Sequence, residues 1–176
     1  MRIIAIIIAL LLSPLSQALG LKMTTQQFID RYSNEVTKSN LSDDIKNELT
    51  DIEFSPPVDE KNWQFAKTGD VILAVADVDS DGDLDIVGVD YSSSANLPGG
   101  VYVARAALLN ATIGPELSQS RDVDYVKSIP GVRRDMKRSK IVKGFKVTNL
   151  RSSENSMLLS VQNVSNKNPD KARGNK

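Results

Sequence analysis

Two short runs rich in branched residues, Val71-Ile72-Leu73-Ala74-Val75-Ala76 and Leu84-Asp85-Ile86-Val87-Gly88-Val89, enclose a turn in which every second residue is an aspartate. Branched side chains suit a pleated strand and lose rotamer freedom in a helix, so the pair reads as a β-hairpin. Its tip is constrained by charge: Asp77, Asp79, Asp81, Asp83 and Asp85 lie within residues 77–85. Carboxylates this close repel one another unless a cation lies among them. A lone hairpin is marginal in water, so the rest of the chain must supply elements that cover its apolar face.

Helices come first. Thr24-x-x-Gln27 has the form of a capping box, and Phe28, Ile29, Tyr32 and Val36 follow at helical spacing. Ser42-Asp43-Asp44 opens a second short helix, with Ile45, Leu49 and Ile52 as its buried stripe and Pro56-Pro57 as its stop. Beyond the hairpin, Ser92 to Gly100 reads as a loop, Val101 to Leu109 as a strand or short helix, and Arg121 to Ser139 as polar and irregular. Ile141–Leu150 and Met157–Val164 form a second hairpin turning at Ser152–Asn155, and Asn166–Lys176 reads as a disordered tail. The expected fold class is α+β: N-terminal helices packed on a small antiparallel sheet of four or five strands, within one domain over residues 19–165.

The first eighteen residues serve a different purpose. Met1-Arg2, the apolar run Ile3–Leu12 and the small residues Ser16-x-Ala18 are the three parts of a cleavable signal peptide. The run falls short of the about 20 apolar residues that a spanning helix needs. Cleavage after Ala18, or after Gly20, leaves no transmembrane anchor and places the product in the periplasm or outside the cell.

The chain has no cysteine and no histidine. A Ser-His-Asp triad, a Cys-His pair and the usual zinc site are therefore excluded. Any catalysis would run on carboxylates, lysine, tyrosine or a hard metal, which turns the expectation away from an enzyme. Charge is unevenly spread: residues 21–91 hold 16 acidic and 6 basic side chains, residues 92–176 hold 6 and 15. One expectation is a fold that interleaves the halves so that they attract; the other is a dipolar surface.

The acidic turn is where chemistry is expected. Calcium takes about six to eight oxygen ligands, and alternate aspartates present theirs to the inside of a curled chain. Gly82 permits the sharp bend. An EF-hand fits poorly, because its twelfth position is Gly88 instead of a bidentate Glu and strands flank the loop. Gly69-Asp70-Val71, the stretch Ala76–Val87 and Gly99-Gly100-Val101-Tyr102-Val103 together resemble one FG-GAP/VCBS repeat, the calcium-loop unit of integrin-α-type propellers. The resemblance implies side-chain ligation of Ca2+ by Asp77, Asp79, Asp81 and Asp85 and backbone ligation by Asp83. It spans residues 69–103, too little to build a propeller, whose blades bury one another's faces. An apolar echo lies 72 residues on, at Val147–Leu150 and Met157–Leu159, without the acids.

Seven basic residues fall between Arg133 and Lys146, with Phe145 as their one aromatic neighbour. They suit an anionic partner or pairing with the acidic half, and nucleic acid is disfavoured for want of stacking platforms. Trp63 and Phe65 read as core anchors. The functional expectation is an exported, calcium-binding, non-enzymatic module for interaction or assembly, whose partner is a protein or surface polysaccharide. The alternatives are a metal-dependent hydrolase acting on an anionic polymer, and a periplasmic inhibitor or accessory subunit without metal.

Overall fold

A computed structural model describes residues 21–92, 99–127, 136–151 and 156–164. The segments read as signal peptide, C-terminal tail and Ser152–Asn155 turn lie outside these residues, as does most of the Ser92–Gly100 loop. The chain order is α1 (Thr25–Thr37), α2 (Asp43–Thr50), β1 (Trp63–Thr68), β2 (Val71–Ala76), β3 (Ile86–Ser92), α3 (Gly99–Ile113), α4 (Pro115–Ser118), α5 (Arg121–Lys127), β4 (Met136–Val142), β5 (Phe145–Arg151) and β6 (Ser156–Asn163). The fold is α+β, with six strands in the order β1-β2-β3-β6-β5-β4 and every pairing antiparallel.

α1 begins as its sequence requires. Gln27 N–H donates to Thr24 Oγ1 at 3.3 Å and Thr24 N–H donates to Gln27 Oε1 at 3.0 Å, closing the capping box. Phe28, Tyr32 and Val36 are fully buried on one stripe. α2 stops at Thr50, ahead of Pro56-Pro57, and Thr50 Oγ1 donates back to the Lys46 carbonyl at 2.9 Å. Leu49 is buried as expected, whereas Ile45 is 38 % exposed, because an eight-residue helix turns only part of its surface inward. The proline pair belongs to a segment alongside β1: Ser55 N–H donates to the Phe65 carbonyl at 2.8 Å and Val58 N–H to the Trp63 carbonyl at 3.0 Å. That segment covers one edge of the sheet.

The strand register puts Val71, Leu73, Val75, Val87, Val89, Tyr91, Leu159, Val161 and Val147 on one face. These side chains share a single core with Phe28, Tyr32, Val36, Leu49, Val101, Ala104, Leu108, Val123 and Val126, so all the longer helices close the same side. α3 lies on β3 and β6, α1 packs along α3, and α5 lies on β4 and β5. On the opposite face Trp63 clusters with Ala74, Ala76 and Ile86 and stacks on Phe65 with ring centroids 6.0 Å apart. Both aromatics are thus packing residues. No helix among the described residues is long and apolar enough to cross a membrane.

Several expectations change. The sheet has six strands among the described residues instead of four or five. Val101–Leu109, read as a strand or a short helix, lies within a fifteen-residue helix, α3, which takes in Gly99-Gly100 as well. The stretch Arg121–Ser139 holds α5 and the start of β4, and what reads as one strand from Ile141 to Leu150 is two, bent at Lys143-Gly144. Both turn residues have positive φ, 47° and 87°, the geometry of a two-residue hairpin turn in which Gly144 is the natural occupant. Finally, the two halves of the chain are not interleaved in the sheet. β1–β3 from the acidic half lie side by side, β4–β6 from the basic half lie beyond them, and the four ion pairs recorded among the described residues all stay within one half.

Candidate metal centre

The β2–β3 connection is held in shape by its own aspartates. Asp77 accepts from the Asp81 N–H at 3.2 Å through Oδ1 and from the Gly82 N–H at 3.0 Å through Oδ2. Asp81 Oδ1 accepts from the Asp83 N–H at 2.9 Å. The curl requires positive φ at Ser80 (60°) and Gly82 (92°); glycine takes this freely, serine only with support. Asn62 supplies that support from the turn before β1, donating to Ser80 Oγ at 2.8 Å and to the Asp77 carbonyl at 3.1 Å. At the exit, Leu84 is buried and its N–H donates to the Met23 carbonyl at 2.8 Å. This anchoring draws Leu84 and Asp85 into the turn, so β3 starts at Ile86 and not at Leu84.

Three of the five aspartates converge. Asp77, Asp79 and Asp85 each offer a carboxylate oxygen, and these atoms lie within 4.8 Å of one another. Asp81 and Asp83 stand outside this group. Asp81 is exposed and committed to the Asp83 amide, and Asp83 is half-buried. Of the converging three, Asp79 is exposed, Asp77 half-buried and Asp85 only 1 % exposed. Asp85 Oδ2 accepts from the Val78 N–H at 2.6 Å, while buried Oδ1 has no hydrogen-bond partner among the described residues. Burial pushes the Asp85 carboxyl up to about 6; the Val78 amide opposes the rise and the neighbouring charges of Asp79 and Asp77 add to it.

A buried carboxylate with an oxygen that lacks a donor, close to two further carboxylates, is unfavourable unless a cation or proton meets it. The donor set is all oxygen, which suits a hard cation such as Ca2+ or Mg2+ and not a thiophilic metal. Three carboxylates supply fewer ligands than calcium takes, so backbone carbonyls and water would complete the shell. The residues fit the ion on charge and on the orphaned oxygen. Sequence reasoning misses Asn62, because a single asparagine ahead of a strand carries no spacing signal; its positive φ of 52° is a turn property that asparagine tolerates.

A second surface lies at the far edge of the sheet. β4 is the outermost strand, and its two-residue turn to β5 fixes which backbone groups are paired. Met136, Arg138, Lys140 and Val142 bond to β5, which leaves the N–H and C=O of Lys137, Ser139 and Ile141 directed outward. Ile141 is 66 % exposed, and Lys137, Lys140 and Lys143 are exposed beside it. Behind the strand, Arg138 and Lys140 stand over the Tyr125 ring at 4.5 and 5.6 Å from its centroid. Comparison with protein-family models, with curated proteins and with solved structures finds no match to this chain.

Proposed function

We propose that the protein is an exported calcium-binding module that serves interaction or assembly in the periplasm or outside the cell and carries out no catalysis. The observation that carries the reading is the convergence of the Asp77, Asp79 and Asp85 carboxylates, one of which, Asp85, is buried with an oxygen that lacks a hydrogen-bond partner among the described residues. Calcium there would neutralise a turn that touches three other parts of the chain: Asn62 ahead of β1, Met23 ahead of α1, and the start of β3. Metal binding of this kind couples to local folding, so the ion would act as a cross-link in a chain without cysteine. The sequence supports export through residues 1–18, and the likeness of residues 69–103 to an FG-GAP/VCBS repeat supports calcium over magnesium.

The interaction role draws on β4. An outer strand whose outward backbone groups have no partner among the described residues accepts a further strand, and its lysines oppose pairing with a second copy while favouring an acidic partner. A protein partner entering as an acidic extended segment fits this edge better than a polysaccharide, which offers no backbone ladder.

Terbium luminescence tests the reading. The ion replaces calcium at oxygen sites and is sensitised by nearby tryptophan; the single Trp63 adjoins Asn62, which bonds the loop. Sensitised emission that calcium displaces, and that Asp85→Asn abolishes, is the expected result. Absence of emission, or emission unchanged in Asp85→Asn, contradicts it. Chelator-sensitive cleavage of an anionic polymer by the same protein would replace the module with a hydrolase.

A further inference from the structure

Arg105, in the second turn of α3, is only 8 % exposed, and its guanidinium carbon stands 5.2 Å from the centroid of the Tyr91 ring. Among the described residues its buried Nε and Nη2 have no hydrogen-bond partner, and no carboxylate pairs with it. These two nitrogens lie along one edge of the guanidinium, the edge that grips a carboxylate or phosphoryl group through two parallel hydrogen bonds. The Tyr91 hydroxyl is buried and lacks a partner among the described residues too. Tyr102, three residues before Arg105 on α3, is 58 % exposed. Residues three apart on a helix are surface neighbours, so Tyr102 stands beside Arg105 on α3. Burial pushes the Tyr91 phenol up, and the Arg105 charge works against the rise.

Guanidinium stays ionised at any ordinary pH, and a buried cation without a counter-ion is strongly unfavourable. The face of the Tyr91 ring attracts the charge but offers no acceptor to the Nε and Nη2 edge. We infer that Arg105, with the hydroxyls of Tyr91 and Tyr102, forms a binding site for a small oxyanion: a carboxylate, phosphoryl or sulfuryl group entering past Tyr102. The site is independent of the acidic turn. Tyr91 pairs with Val71 at one end of the β2–β3 hairpin, and the aspartates follow Ala76 at the other. It differs also from the β4 edge, whose cations are exposed.

The test uses metal-free protein with sodium phosphate, sulfate or acetate, against chloride at constant ionic strength. The readouts are the Arg105 Nε–H resonance, assigned by its loss in Arg105→Lys, and the melting temperature. A saturable downfield shift is expected, with a rise of about 3–6 °C at about tenfold excess over Kd. Phosphate and sulfate acting without acetate identifies a tetrahedral anion, and the converse a carboxylate. Arg105→Lys keeps the charge but not the fork and loses both responses. Tyr102→Phe, at an exposed position, folds normally and weakens binding about three- to tenfold. A resonance that no anion moves overturns the inference, as does an Arg105→Lys protein whose melting temperature responds like wild type. A resonance already far downfield without added anion does so too, since a carboxylate of the chain itself would then hold the fork.

Discussion

Replacing Asp79 with Asn should change the stability of the protein in opposite directions with and without calcium. The oxygens of Asp77, Asp79 and Asp85 lie within 4.8 Å of one another. At that separation two unit charges repel by about 1 kcal/mol at the dielectric constant of water and about 3.5 kcal/mol at an effective value of about 20. Asp79 is exposed, so the lower figure applies. Its carboxylate accepts no hydrogen bond among the described residues, so the substitution removes repulsion and little else. In chelator, Asp79→Asn therefore melts about 2–4 °C above wild type, the shift that about 1 kcal/mol gives in a domain of this size. In calcium at about a hundredfold excess over Kd, wild type gains about 2.7 kcal/mol, or about 5–11 °C. Loss of one charged ligand weakens binding about tenfold or more, removing at least about 1.4 kcal/mol of that gain. The ranking of the two proteins should invert between the conditions, as followed by scanning calorimetry. A variant that melts below wild type by the same interval in chelator and in calcium would refute the argument, because Asp79 would then be supporting the turn and not a metal.

Asp90 gives a pH signature. Burial pushes its carboxyl from 3.8 up to about 6, against hydrogen bonds from the Tyr91 amide and the Ser156 hydroxyl. The folded protein holds this proton more tightly than the unfolded chain, so stability falls as pH rises from about 4 through about 6. Asp90→Asn should add up to about 3 kcal/mol at about pH 8 and nothing at about pH 3.5; urea denaturation showing equal effects at both would contradict this. Thr24→Ala breaks the capping box and should lower stability by about 1 kcal/mol in the same assay, and no loss would show that Gln27 does not depend on its partner. Leu159 is fully buried between the sheet and the helices, and Leu159→Ala should lower stability by about 2–5 kcal/mol. A loss under about 1 kcal/mol would mean that the core collapses around the cavity.

What the sequence revealed of this fold follows how local each cause is. The α1 cap and stripe and the Val71–Ala76 strand are written in neighbouring residues, and they appear as read. β1 is harder to see: Trp63, Phe65 and Lys67 alternate with Gln64, Ala66 and Thr68, and one face is covered by aromatics packing on alanines far along the chain. β4 hides within a basic run because an outer strand needs few apolar residues, and the Lys143-Gly144 turn is marked by its glycine alone. α3 is buried on most of its surface and so lacks the polar face by which a helix is recognised. At the site, the alternation of aspartates pointed to all five. The structure brings three together, because the curl set by Ser80 and Gly82 turns Asp81 back on the amide of Asp83. Nothing local marks Arg105, whose interest lies in the absence of an acceptor beside it among the described residues.

The central claim is that the turn between β2 and β3 is a calcium site, and calorimetric titration of the metal-free protein tests it most directly. Saturable binding near one ion per chain, lost in Asp85→Asn and accompanied by a raised melting temperature, is the predicted result. No heat and no melting shift up to about millimolar calcium, the weak end of the extracellular range, would make Asp77–Asp85 an ordinary acidic turn.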